Sequence, residues 1–490
     1  MTGIAGYGVY MPRFRIQTKL MRKAWPLTAG APGVVEKSVA SVDEDCLTMG
    51  LEASLNALKH AGIEASSIGA VYFGTISGPY ADGSLAMLLA EVLGISSDVI
   101  ITDFGGSTRA GSRAFLDCVD LVSTGRVQYG LVVGADCQIG AVGDSLELTY
   151  GAGAAAYILG GEDVVAEMGE MNSYSSAFVT SWRGNGETEV RRYDDARLLR
   201  DVGPGVHMGK AIMGLLAKTG QKPDAFSQLA LYQPDGKSAL GLAKSMKFNP
   251  EAMTHSNFAP TIGDTGSSSP LISLACALER AEPGEKILVA SYGSGTGSDA
   301  FIVTVGEGID RKRGDAVSVN AYLDPDNKEY IDYVQYEKIR GRLKMDLMPE
   351  TMTSFGASPP MLRDGKYIVG LTALKCKTCG SINFPARNIC IEKECRSREF
   401  EEVPLPRQGV IETFYHQYVV YTSPEEGPFP MCVARVSGRE GEYGGKITAM
   451  MIDSPMEDVK IGANVALVFR RHGAEQGLVK YGYKFKLVKE

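Results

Sequence analysis

The chain has 490 residues, 44% hydrophobic and 22% charged, a globular composition that argues against disorder. Its 50 Lys and Arg against 58 Asp and Glu give a net charge of −8, and no long basic run offsets it, which argues against a nucleic-acid groove. No apolar stretch approaches the roughly 20 residues of a membrane span, and residues 1–10 lack a secretory pattern, so a soluble, cytoplasmic protein that binds neither nucleic acid nor membrane is expected.

The front of the chain reads as a duplication. Ser107–Gly125 has apolar positions at Ala114, Leu116, Cys118, Leu121 and Val122 on a helical face, with Gly125 as the stop, and a buried strand follows at Tyr129–Asp136. About 160 residues later the order returns, with a helix over Ser268–Arg280, a break at Pro283-Gly284 and a strand over Lys286–Tyr292. Both strands are continuous apolar runs, as expected of strands covered by helices on both faces. Two such halves, residues 1–165 and 166–310, predict a five-layered α/β/α/β/α body. The buried helix of each half would start at the junction, where a helix N-terminus offers free N–H groups and positive partial charge.

Residues 311–370 read as a connector, with a charged helix over Tyr330–Leu347 and a stretch rich in Pro, Ser, Thr and Met over Met348–Pro360. Residues 371–400 hold Cys376-x2-Cys379 and Cys390-x4-Cys395, ten residues apart. Two knuckles supplying four thiolates can close a tetrahedral shell around Zn2+, and a full shell makes the metal structural. Residues 401–490 carry five short strands, Gly409–Phe414, Met431–Val436, Lys446–Ile452, Val465–Arg470 and Tyr481–Val488. Turn signals at Glu425–Gly427 and Gly438–Gly441 help separate them, which predicts a small barrel of the OB type. Phe414, Tyr415, Tyr418, Tyr421, Arg470 and Arg471 could form a single-strand-binding face, but reading them as core and turn residues suits the acidic chain better.

The duplicated layout resembles the thiolase superfamily. Gly6–Ile16, Glu36–Val39 with Asp43–Asp45, Gly134–Asp136, Gly143–Ala156 and Gly293–Phe301 are similar to its archaeal-type hydroxymethylglutaryl-CoA synthase branch. The ribbon and barrel resemble the rubredoxin-like zinc-ribbon/OB-fold family, whose members accompany thiolase-type enzymes as subunits or fusions. The resemblance implies a coenzyme A thioester as substrate. It also implies a cysteine that becomes acylated, a glutamate acting as acid and base, and a histidine that polarises the acceptor.

Those three residues are replaced here. The family's Cys-Lys-Ala-Gly-Thr-Ala-Ala motif falls on Thr108–Ala114, so Thr108 stands at the nucleophile position. Ile76 stands for the glutamate, Tyr232 for the histidine, and Asp264 for a later asparagine. A threonine hydroxyl is a far weaker nucleophile than a thiolate. Cys118 and Cys137 read as packing residues.

The expected catalytic set is therefore Tyr232 as proton-transfer group, Asp264 and Tyr292 as helpers, and Thr108, for which a helix N-cap is the favoured reading. Asp103, His207 and His255 are expected nearby, and Arg15, Arg22 and Lys210 are candidates for CoA phosphates. The leading expectation is an enzyme that makes or breaks C–C bonds in acyl-CoA by aldol or retro-aldol chemistry without an acyl-cysteine, as tyrosine-using thiolase-fold aldolases do. A hydroxymethylglutaryl-CoA synthase-type acyltransferase and a non-catalytic CoA-ester scaffold are the alternatives. The resemblance further implies a homodimer or dimer of dimers, and another CoA-pathway enzyme docking on the ribbon and barrel.

Overall fold

The longest apolar runs of the front region become neighbouring strands of one sheet. The computed structural model describes residues 2–26, 32–193, 195–315, 317–343, 364–417, 429–436, 445–475 and 477–488. Met348–Pro360, Tyr418, Tyr421 and the two turns expected near 425–427 and 438–441 lie outside the described residues. No helix among those described is long and apolar enough to cross a membrane.

The described residues form two compact units, 1–90 with 95–336, and 91–94 with 337–490. In the first, nine strands run in the order Gln228–Leu231, Lys286–Ala290, Ser298–Val305, Ala166–Tyr174, Gly3–Tyr10, Gly153–Gly160, Tyr129–Asp136, Ile68–Gly74 and Ile100–Phe104. Among the described residues, the four-strand half pairs with the five-strand half through Gly3 and Ile4, opposite Glu167 and Ala166. The two helix-to-strand repeats take their expected places. Ala110–Ser123 precedes Tyr129–Asp136, Ser269–Leu278 precedes Lys286–Ala290, and both helices are largely buried.

These two helices form the middle layer. Phe115 meets Tyr157 edge-on at 5.3 Å and stacks on Phe301 at 5.5 Å, so one ring packs against strands of both halves. The helix starts touch closely, and a Cβ on Gly111 would lie 2.1 Å from the Ser267 carbonyl oxygen, so glycine is required there. The outer layers are Cys46–Ala61, packed on Gly3–Tyr10 and Gly153–Gly160, and Pro204–Thr219, packed on Ala166–Tyr174 and Ser298–Val305. Asp45 caps Cys46–Ala61 by accepting from Leu47 and Thr48 N–H groups, and Gly62, with φ +71°, ends it.

The early part of the expected connector belongs to this first unit. Glu329–Tyr330 pairs with Phe14–Arg15, Lys328 forms an ion pair with Glu36 at 2.8 Å, and Ile331 and Tyr336 are buried. The helix there covers Tyr333–Ile339 and starts later than Tyr330 because residues 329 and 330 serve as a strand, while residues 344–347 of the expected helix lie outside the described residues.

The second unit contains the ribbon and the barrel. Thr372–Cys376 is the central strand of a three-stranded sheet, flanked by Ile382–Asn383 and Phe400–Pro404. The five expected strands of the barrel are Gln408–Gln417, Phe429–Arg435, Lys446–Met450, Asn464–Glu475 and Leu478–Leu487. They pair in one sheet, and a Met451–Phe485 bridge ties its two ends together. Arg470 is buried near Asp453, which removes it from any solvent-facing surface.

Candidate active site

Three of the four expected catalytic residues line one cavity of about 660 Å³ in the first unit. Tyr232 directly follows Gln228–Leu231 and extends its pairing, donating its N–H to the Ala290 carbonyl at 2.8 Å. The next residue anchors the turn. Gln233 accepts from Ala259 N–H at 3.0 Å and donates to the Ser256 carbonyl at 2.6 Å, while its own N–H donates to Ser269 Oγ. Asp235 then accepts from the Lys237 and Ser238 N–H groups and fixes the turn that leads into the helix Ser238–Ser245.

The Tyr232 hydroxyl donates to Asp264 Oδ2 at 2.6 Å, and Gly266 N–H donates to Oδ1 at 2.9 Å. Both residues are buried. Desolvation raises the Asp264 carboxyl to about 7, against the lowering effect of these two donors. Burial, followed by the charge of Asp264, pushes the Tyr232 phenol well above its usual range. The pair therefore holds an exchangeable proton near neutral pH.

Tyr292 sits beside Tyr232 with ring centres 5.8 Å apart, and its hydroxyl bonds Thr180 Oγ1 at 2.7 Å. His207 stacks on Tyr292 at 5.6 Å, with its pKa lowered by burial and by Lys210. Thr108 is not among the lining residues. Its hydroxyl donates to the Tyr292 carbonyl at 2.6 Å, so it buttresses the backbone that carries Tyr292. Nor does it cap the helix, because Arg109 occupies that position and Ser107 Oγ accepts the Arg109 N–H. Ile76 donates its N–H to Asp136, a buried carboxylate that also holds Thr75, Ser77 and the Ser267 N–H.

The remaining candidates are dispersed. Arg15 is fully buried, and its guanidinium donates to the Pro12, Phe14 and Tyr322 carbonyls, so it braces the fold where a phosphate contact was expected. Arg22 lies in the last turn of Thr18–Ala24, and Lys210 is exposed on Pro204–Thr219 with its ammonium on the Tyr174 hydroxyl. Asp103 accepts from Ser84, Leu85 and Ala86 at the start of Leu85–Leu93, and His255 is exposed. Cys118 is buried against Gly130, and burial raises its thiol to about 12, which suits a packing residue.

Tyr150 and Arg192, which are not among the residues expected from the sequence, line the same cavity. The signal for Tyr150 was an aromatic at the end of Ser145–Thr149 just before a glycine, easily taken for core.

The four ribbon cysteines place their sulfurs within 4.8 Å of one another. Cys376 and Cys395 are 3.6 Å apart, as are Cys379 and Cys390. A tetrahedral zinc with bonds of about 2.3 Å has an S···S edge of about 3.8 Å, so the donor set fits that metal. Gly380 turns the first knuckle at φ +76°, and its N–H donates to the Cys376 carbonyl at 2.8 Å.

Over 350 residues the chain is 39% identical to the hydroxymethylglutaryl-CoA synthase of Methanocaldococcus jannaschii, covering 70% of this chain and 100% of that protein. The chain belongs to the hydroxymethylglutaryl-CoA synthase family. The family's protein from Methanothermobacter thermautotrophicus is also 39% identical, over 349 residues, with the same coverage. Residues 370–401 match the ChsH2, rubredoxin-like zinc ribbon domain. The thiolase-like fold of this synthase-family member is shared by MvaS in complex with 3-hydroxy-3-methylglutaryl coenzyme A, at TM-score 0.62 and 19% identity over 72% of this chain and 94% of that one. It is shared too by an HMG-CoA synthase complexed with CoA, at TM-score 0.63 and 18% identity over 73% and 95%.

Proposed function

We propose that this chain is an acyl-CoA enzyme of the synthase family whose C–C bond chemistry runs in the Tyr232–Asp264 cavity without an acyl-cysteine. The carrying observation is the buried Tyr232–Asp264 hydrogen bond, with a carboxyl poised near pH 7 in a cavity that Thr108 does not reach. In the cleavage direction, the β-hydroxyl of the substrate passes its proton to the Tyr232 oxygen as the Tyr232 proton moves to Asp264. The hydroxyl oxygen forms a C=O bond, the Cα–Cβ bond breaks, and its electron pair enters the thioester as an enolate. Asp264, through Tyr232, returns the proton to Cα. The reverse order makes the bond.

Family membership supports a second reading more directly than it supports this one. A hydroxymethylglutaryl-CoA synthase-type acyltransferase would need one of the chain's own cysteines to carry the acyl group. The scaffold reading draws less support, since a carboxyl near pH 7 beside a phenol is costly to keep where nothing is to be transferred. We assign Zn2+ to Cys376, Cys379, Cys390 and Cys395 as a structural ion and a coenzyme A thioester as substrate, with Arg22 and Lys210 as the remaining phosphate candidates. Pairing of two copies through the sheet-edge strand Ile100–Phe104 is expected by analogy, and so is a CoA-pathway partner for the ribbon and barrel.

The test is steady-state turnover of β-hydroxyacyl-CoA esters, read by release of a carbonyl product. Turnover abolished in Tyr232→Phe supports the proposal, and turnover that survives in that variant contradicts it.

A further inference from the structure

We propose that Tyr150 is a second catalytic phenol of this cavity, donating a hydrogen bond to the thioester oxygen while Tyr232 and Asp264 move the proton. It rests on the C–C reading above. Two chain segments set the geometry. Asp264 N–H donates to the Thr149 carbonyl at 2.7 Å and Gly151 N–H donates to the Asp264 carbonyl at 2.8 Å, a parallel bridge that pairs Tyr150 with Asp264. Paired residues of a ladder project to the same face, so phenol and carboxyl enter the cavity together.

Two glycines permit that approach. Gly263 adopts φ +85°, and a Cβ on Gly151 would lie 2.0 Å from the Ile262 carbonyl oxygen. Substituting either would push the two segments apart. Tyr150 itself is 5% exposed, and its ring packs with Leu146 and Val190, which hold it in place.

The hydroxyls of the three cavity tyrosines differ in their engagements. Tyr232 gives its proton to Asp264, and Tyr292 bonds Thr180. The Tyr150 hydroxyl makes no hydrogen bond among the described residues, so it has a donor to spend on a ligand. The charged groups acting on it are Asp264, Asp136 and Asp144, which favour the protonated phenol, and Arg192, which opposes them. Burial is the largest effect and keeps the proton on the oxygen. A phenol that stays protonated is a donor throughout the working range. When the Cα–Cβ bond breaks and the electron pair flows to the thioester oxygen, the Tyr150 O–H shortens its hydrogen bond and keeps its proton. Fixed donors aimed at developing negative charge in a dry cavity are among the strongest catalytic devices.

The experiment follows α-proton exchange of acetyl-CoA in D2O by NMR, beside β-hydroxyacyl-CoA cleavage, for the parent, Tyr150→Phe, Tyr150→Gln and Tyr150→Leu. A lost donor lowers kcat and exchange about 10²–10³-fold in Tyr150→Phe, with KM within about threefold and the pH midpoint near 7 retained. Tyr150→Gln, which keeps a donor without the ring, stays more active than Tyr150→Leu, a comparison that stands even if the Phe variant fails to fold. Tyr150→Phe within threefold of the parent, or Gln and Leu variants equally inactive, overturns the role of Tyr150 and leaves the C–C reading intact. A parent protein that neither exchanges nor cleaves overturns both.

Discussion

The Tyr232 hydroxyl donates to Asp264 Oδ2 at 2.6 Å, and both groups are buried. A phenol alone would be a poor base at neutral pH, and a carboxylate alone would be a poor acid there. Joined, they present a phenolic oxygen to substrate and keep the charge on the carboxyl behind it. Tyr232→Phe breaks that path while keeping the ring and its contact with Tyr292. Its kcat should fall about 10²–10⁴-fold with little change in KM, measured on a β-hydroxyacyl-CoA ester.

The pH dependence follows from Asp264. Its carboxyl is raised from 3.8 to about 7 by burial, so the base form needed for cleavage accumulates as pH rises through about 7. A pH–rate profile should climb across that value, and the residual rate of Asp264→Asn should be flat there.

The same shift has an opposite sign for stability. The folded protein holds the Asp264 proton that the unfolded chain releases above about 4, so stability falls as pH rises from about 4 to about 7. Above pH 7 the penalty is complete, on the order of 4 kcal/mol. Asp264→Asn should therefore melt higher than the parent at pH 8 and no higher at pH 4, as thermal unfolding at the two pH values would reveal. An inactive but more stable variant is the signature of a strained functional group.

Asp136 predicts a structural loss. It is fully buried and accepts from Thr75, Ile76, Ser77 and Ser267, joining the segment after Ile68–Gly74 to the start of the second buried helix. Asp136→Ala leaves several buried donors unpaired and should cost about 3–5 kcal/mol, read by denaturant unfolding.

For the ribbon, the 3.6 Å sulfur pairs predict one zinc per chain by elemental analysis. Cys376→Ser or Cys390→Ser should lose the metal, and amide exchange over residues 371–400 should speed up. Metal binding supplies much of the folding energy of so small a unit.

Much of this architecture could be read from local patterns. Helix–strand repeats such as Ala110–Ser123 with Tyr129–Asp136 carry their own periodicity, and the cysteine spacing states its metal geometry directly. What depends on distant chain segments was hidden. Arg15 lies in a basic turn that suggests a phosphate, yet its guanidinium is closed off by the Tyr322 carbonyl about 300 residues away. Residues 329–336 looked like linker because their strand partner, Phe14–Arg15, is equally remote. Thr108 pointed to a helix start, whereas its hydroxyl serves the Tyr292 carbonyl of the other half. Tyr150 reads as core until its bridge to Asp264 turns it into the cavity.

In the proposed chemistry, proton transfer at Tyr232 and Asp264 takes the place of acyl transfer to a cysteine. It is tested most directly by incubating the protein with radiolabelled acetyl-CoA, digesting it and locating the label. No labelled cysteine peptide is expected, with β-hydroxyacyl-CoA turnover present in the parent and lost in Tyr232→Phe. A label on any cysteine, whether Cys46, Cys137 or another, would contradict it and establish the acyltransferase reading.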